Sequence, residues 1–223
     1  MYELVRGPLL LAACIIAAAG VVYRTIQLYL LTRRKDGSLR PPVSVADSTA
    51  SSLEERKLNR IIAFQNSLLG KHPVIAIVST VFHVCLFATP VFLNAHMLIL
   101  YESWGFNLFS LPDKLCDILT ITFLVCAFFF LMRRLVIPKV RAITSGYDYL
   151  LLLVTAAPFL SGFFAYHQWF DYHTIIVSHI LTGELMLIAI PFTKLGHMVF
   201  FFFVRILIGS EHSFAAGRRI WRT

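Results

Sequence analysis

Clusters of charge divide this chain into long apolar runs, and each run is about as long as a bilayer crossing requires. About twenty residues at ~1.5 Å per residue cover the ~30 Å hydrocarbon layer. Spans are expected at 9–31, 73–100, 115–137, 149–166 and 174–208. The second is long enough to tilt, and the last continues past a polar interruption at Thr193 and Lys194. The chain has 223 residues, of which 58% are hydrophobic and 14% charged, and its mean hydropathy is +0.74. No room remains for a separate soluble catalytic domain. The expectation is an all-α membrane protein: five transmembrane helices forming a single membrane domain over residues 1–223.

The formal charge of +8 is informative through its placement, because basic residues in short loops stay in the cytoplasm. Between the first two spans, the 32–72 segment carries Arg33, Arg34, Lys35, Arg40, Arg56, Lys57, Arg60 and Lys71. The third span ends at Arg133, Arg134, Lys139 and Arg141, and the tail holds Arg218, Arg219 and Arg222. The loops on the other side hold one basic residue, Lys114. This pattern puts the N-terminus in the periplasm and the C-terminus in the cytoplasm. Tyr101, Trp104, Tyr166, Trp169 and Tyr172 then form an outer aromatic belt. Within 32–72, apolar residues recur at near-helical spacing over 52–69, as in an amphipathic helix that lies on lipid or docks a cytoplasmic partner. The opening residues lack a cleavage pattern, so the first run is expected to be a retained helix.

Nucleic-acid binding is excluded, because the chain has no basic soluble face. Cys14, Cys85, Cys116 and Cys126 fall in or at the edge of apolar runs and read as packed thiols rather than disulfides. No CxxCH, HExxH, phosphate loop or nucleophile motif occurs. His167, His173 and His212 lie in loops or the tail and read as solvated.

Four histidines lie inside apolar spans: His83 and His96 in the second, His179 and His197 in the fifth. Ionisable side chains in hydrocarbon are expensive and mark functional sites. In a five-span topology His96 and His179 share the outer half of the bilayer, and His83 and His197 the inner half. Two facing imidazoles at one depth suit the axial positions of a b-type haem iron, so the four histidines are candidate ligands for two stacked haems. His179 and His197 are about five turns and ~27 Å apart on a continuous helix, hence on one face. His83 and His96 differ by ~140° in azimuth, which predicts a kink or π-bulge near Thr89 and Pro90. His72 is nearly in phase with His83 but lies at the membrane edge beside Lys71.

Several stretches carry a family resemblance: residues 2–8, Phe82-His83-Val84, Tyr101-Glu102-Ser103-Trp104 and Pro191-Phe192-Thr193-Lys194-Leu195-Gly196-His197. They resemble the cytochrome b (gamma) subunits of membrane-bound nitrate reductase and related subunits of the Hmc-, Tmc- and Dsr-type redox complexes of sulfate-reducing bacteria, with the closer likeness to the latter. That family's second-helix histidines stand closer together than His83 and His96, and Leu93 occupies the nearer position here. The resemblance implies two haem b, a bacterial inner (cytoplasmic) membrane, and electron transfer between a menaquinone pool or periplasmic multihaem cytochrome c and a cytoplasmic iron–sulfur subunit of the heterodisulfide-reductase type, alongside other membrane subunits. It makes Lys114 a candidate quinone contact, and Arg133, Arg134 and Lys194 candidate partners of haem propionates. A haem-poor membrane anchor that recruits soluble redox subunits is the alternative. A small proton-coupled transporter with histidine relays is a third reading.

Overall fold

The computed structural model describes residues 2–35, 68–106, 109–198 and 200. The expected amphipathic stretch at 52–69 lies almost entirely outside them, as does the last span beyond residue 200. The described residues are helical apart from short connections. Helix α1 is Leu10–Lys35, preceded by a turn at Tyr2–Leu4 and a π-helical turn at Val5–Leu9 that takes in Pro8. Helix α2 is Pro73–Phe92, α3 Asn94–Trp104, α4 Asp113–Val136, α5 Gly146–His167 and α6 Tyr172–Phe192. Five helical segments are long and apolar enough to cross a membrane: Tyr2–Leu30, Pro73–Phe92, Asp113–Val136, Gly146–His167 and Tyr172–Phe192.

The chain divides into two compact units, one of Met1–Cys14 and Ala76–Ile188, the other of Ile15–Ile75 and Ala189–Thr223. In the first unit an aromatic column links three helices. Phe82 of α2 stacks on Phe123 of α4 at 4.6 Å between ring centres, and Phe123 stacks on Phe159 of α5 at 3.8 Å. Phe123 is fully buried. The four cysteines are free thiols, with Cys85, Cys116 and Cys126 buried around this core, as their apolar surroundings lead one to expect. Several hydroxyls inside the spans satisfy themselves on the preceding turn, as hydrocarbon favours, whereas the buried Thr89 Oγ1 has no partner among the described residues. Thr120 donates to the Cys116 carbonyl, Thr155 to Leu151 and Thr182 to Ser178, each at 2.8 Å.

The expected irregularity in the second span is present, displaced by three residues. Pro90 is accommodated within α2, and the helix breaks at Leu93, which is extended at φ −66° and ψ 128°. The π-helical turn occurs at Val5–Leu9 instead of near Pro90. The break leaves helical carbonyls without their usual donors, and two of these find substitutes. The Leu111 N–H bonds the Phe92 carbonyl at 2.9 Å, and the His96 Nδ1 bonds the Pro90 carbonyl at 2.9 Å.

The last span departs from expectation. Helix α6 stops at Phe192, Thr193 is extended, and a 3₁₀ turn follows at Lys194–Gly196. Thr193 acts as a cap, its Oγ1 accepting from the Leu195 N–H at 3.1 Å. The polar interruption therefore ends the helix. The five-turn phasing of His179 with His197 assumed a continuous rod, and the 3₁₀ turn interrupts that rod before helix resumes at 197–198.

At the start of α6, the Asp171 carboxylate accepts from the Thr174 N–H at 2.8 Å and the Thr174 hydroxyl at 2.7 Å. Those two bonds hold its carboxyl below the usual carboxylate range. Helix α5 ends at Gln168, a non-glycine residue in the left-handed region at φ 52°.

Candidate functional site

Of the four candidate histidines, His96 and His179 are brought together. Both lie in the first unit, His96 one turn into α3 and His179 two turns into α6. Their ring centres are 5.9 Å apart and their planes differ by 13°. The break at Leu93 re-aims His96, because a carbonyl released beside the break holds its ring.

The His179 ring is set by α5. Pro158 supplies the carbonyl that takes the His179 Nδ1–H at 2.9 Å, and the Ser161 hydroxyl stands 3.4 Å from the same nitrogen. Gly162 leaves room for the imidazole. A Cβ there would lie 2.9 Å from His179 Cε1 and 3.1 Å from Nδ1, so any larger residue must displace the ring. A carbonyl oxygen only accepts, so in a neutral imidazole the proton sits on Nδ1 and Nε2 carries the lone pair. A hydrogen bond from Nδ1–H to a carbonyl fixes the ring's orientation and tautomer, as it does for histidines that bind metals. Two imidazoles each giving Nε2 to one metal ion at ~2.0 Å place their ring centres about 6 Å apart. The observed 5.9 Å lies near that value.

His83 and His197 are described separately, since one belongs to each unit. His83 donates Nδ1–H to the Ser79 carbonyl, one turn earlier in α2, at 2.6 Å. His197 donates its Nδ1–H to the Lys194 carbonyl of the 3₁₀ turn at 2.6 Å. In each, as in the first pair, Nδ1 is engaged by a backbone carbonyl. His72 is exposed just ahead of α2, in line with its expected edge position.

Lys114 is exposed in the first turn of α4. A nearby cleft of about 350 Å³ is lined by Asn94, Phe109, Ser110, Leu111, Pro112 and Asp113, and Lys114 is outside that lining. Arg133 and Arg134 are half-buried at the end of α4. Arg134 donates to the Asp148 carbonyl at 2.9 Å, tying α4 to the start of α5. Lys194 sits in the 3₁₀ turn next to His197. His167 is a correction. It is the last residue of α5 rather than a solvated loop residue, and its Nε2 bonds Asp117 Oδ1 at 3.0 Å while its ring packs 4.4 Å from that of Phe163.

Sequence reasoning missed Gly162 and Pro158, whose roles are an absence of side chain and a backbone carbonyl. It also passed over two charged residues inside apolar runs, for which the signal was present. Glu184 in α6 is 4% exposed, and its Oε1 has no hydrogen-bond partner among the described residues. Arg24 in α1 is the other. Among the described residues, no group of three or more His, Cys, Asp or Glu side chains gathers as a metal site.

These features define a multi-pass, all-α membrane protein, consistent with an inner-membrane location. The chain belongs to the same family as a protein of Nitratidesulfovibrio vulgaris strain Hildenborough, to which it is 34% identical over 219 residues, 97% of this chain and 96% of that one. That relative is named only as a protein. No family model and no solved structure matches the chain.

Proposed function

We propose that this chain is the membrane anchor of a redox complex, holding soluble electron-transfer subunits at the bilayer and carrying one b-type haem between His96 and His179. The observation that carries the redox reading is this pair: near-parallel rings 5.9 Å apart, with both Nδ1 protons committed to backbone carbonyls. A haem held there supplies one-electron transfer, and the helices fix its position and surroundings. The anchoring part is supported by the composition of the fold, because nearly all the described residues belong to the five spans and their connections. Resemblance to nitrate reductase gamma chains and the sulfate-reducer subunits points the same way. It supplies the expected partners, a cytoplasmic iron–sulfur subunit and a periplasmic multihaem cytochrome c.

The second reading is the full dihaem cytochrome b, with His83 and His197 ligating an inner haem and electrons crossing between menaquinone or cytochrome c and the cytoplasm. In both His83 and His197 the Nδ1 bonds a backbone carbonyl, as in the first pair, which supports it. Lys114 as a quinone contact, and Arg133, Arg134 and Lys194 as propionate partners, belong to this reading.

A pyridine haemochrome assay on the purified chain separates the two. One b haem per polypeptide, lost in His96→Ala and in His179→Ala while soluble partners still co-purify, is the expected result. Two haems per chain would favour the second reading. A haem-free chain expressed with ample haem would overturn the haem assignment and leave the anchor alone.

A further inference from the structure

Arg24 has no evident place in the redox reading, yet it stands within the apolar part of α1, nine residues before Arg33 and thus ~13 Å along the helix from it. A guanidinium at that depth is costly unless an anion meets it. Among the described residues its hydrogen bonds go to neutral acceptors: Nε donates to the Pro191 carbonyl at 3.2 Å, and a terminal nitrogen donates to Gln27 Oε1 at 3.3 Å. Neither ion pair found among the described residues, Arg6 with Glu102 and His167 with Asp117, involves Arg24.

Arg24 opens onto a cleft of about 580 Å³ lying wholly within the second unit. Its polar wall is Arg24, Gln27, Thr193, Lys194 and His197, and none of the described lining residues is acidic. Leu28 and Phe200 make the wall apolar on other sides. Two glycines shape this cleft. At Gly20, one turn before Arg24, a Cβ would lie 2.7 Å from Pro191 Cγ, so α1 comes as near to Pro191 as a helix can. At Gly196 a Cβ would meet the Ile190 carbonyl and the Phe200 ring, each at 3.1 Å. The lining therefore presents two cationic side chains and an imidazole beside apolar surface, at a helix end that continues into Arg33, Arg34 and Lys35.

We infer that this cleft binds the phosphate of an anionic phospholipid headgroup, with the acyl chains lying against the apolar wall. Arg24 and Lys194 supply the charge, Thr193 and Gln27 polar contacts, and the leaflet is the one facing the Arg33 end of α1. Basic pockets between membrane helices hold lipid headgroups through such contacts, at about 1 kcal/mol per Lys or Arg. The inference stands independently of the haem at His96 and His179.

Native mass spectrometry of the purified full chain tests it, with phosphatidylglycerol or phosphatidylcholine added in detergent. Phosphatidylglycerol adducts should exceed phosphatidylcholine adducts, and Arg24→Gln and Lys194→Gln should each weaken phosphatidylglycerol retention about fivefold. Arg24→Lys should restore most of it, which separates lost charge from lost folding. Equal retention of the two lipids, or unchanged retention in both glutamine variants, would overturn the proposal. Displacement by millimolar inorganic phosphate alone would make the site one for free phosphate, and loss of haem instead of lipid in Arg24→Gln would make it one for a haem carboxylate. Either result contradicts a lipid.

Discussion

At the scale of single residues, the candidate site depends on groups that do little besides position an imidazole. The Pro158 carbonyl fixes the tautomer of His179, and Gly162 provides the gap its ring occupies. A methyl at Gly162 would overlap Cε1 and swing the ring away from its partner. Gly162→Ala is therefore expected to lower haem occupancy about tenfold, the loss typical when a group that orients a ligating imidazole is disturbed, with helix content unchanged by circular dichroism. Haem titration of the variant measures this, and wild-type affinity would show that the ring has another way to settle. His96 and His179 were legible in the sequence because imidazoles are rare in apolar runs. Gly162 was not, since a glycine among Ser161, Phe163 and Phe164 looks like any small residue in a membrane helix. Glu184 and Arg24 carried a readable signal, a charge inside hydrocarbon, that attention to the histidines eclipsed.

At the scale of elements, the breaks matter more than the helices. The azimuth of His83 against His96 demanded an irregularity, and the structure puts it at Leu93, three residues past the proline that prompted the expectation. Proline weakens the ladder, but the chain departs where Leu111 is at hand to bond the Phe92 carbonyl, a tertiary contact that the sequence does not announce. The last span shows the opposite error. Thr193 and Lys194 read as an interruption within one span, whereas Thr193 can cap the following turn with its own hydroxyl, and so it ends α6. The end of α5 offers a direct check on element energetics. Gln168 adopts a left-handed conformation that costs a side chain roughly 1 kcal/mol relative to glycine. Gln168→Gly should stabilise the chain by about 0.5–1 kcal/mol, read as a rise in thermal midpoint in detergent. A fall would mean that the glutamine side chain holds the turn in some other way.

At the scale of the whole molecule, five helices long and apolar enough to cross a membrane account for most of the described residues. The number of spans and the all-helical class follow from hydrophobic lengths alone, which is why they were legible. Orientation rests on the placement of basic residues, and partners on resemblance, and neither follows from packing within the chain. The central claim is that His96 and His179 face one another as axial ligands. Electron paramagnetic resonance of the oxidised, purified chain tests it most directly, because the spectrum of a bis-imidazole ferric haem reports the angle between ligand planes. With planes 13° apart, the account predicts a rhombic low-spin signal that disappears in both His96→Ala and His179→Ala. A spectrum unchanged by either substitution, or the loss in both variants of a highly anisotropic signal typical of crossed planes instead of a rhombic one, would contradict it.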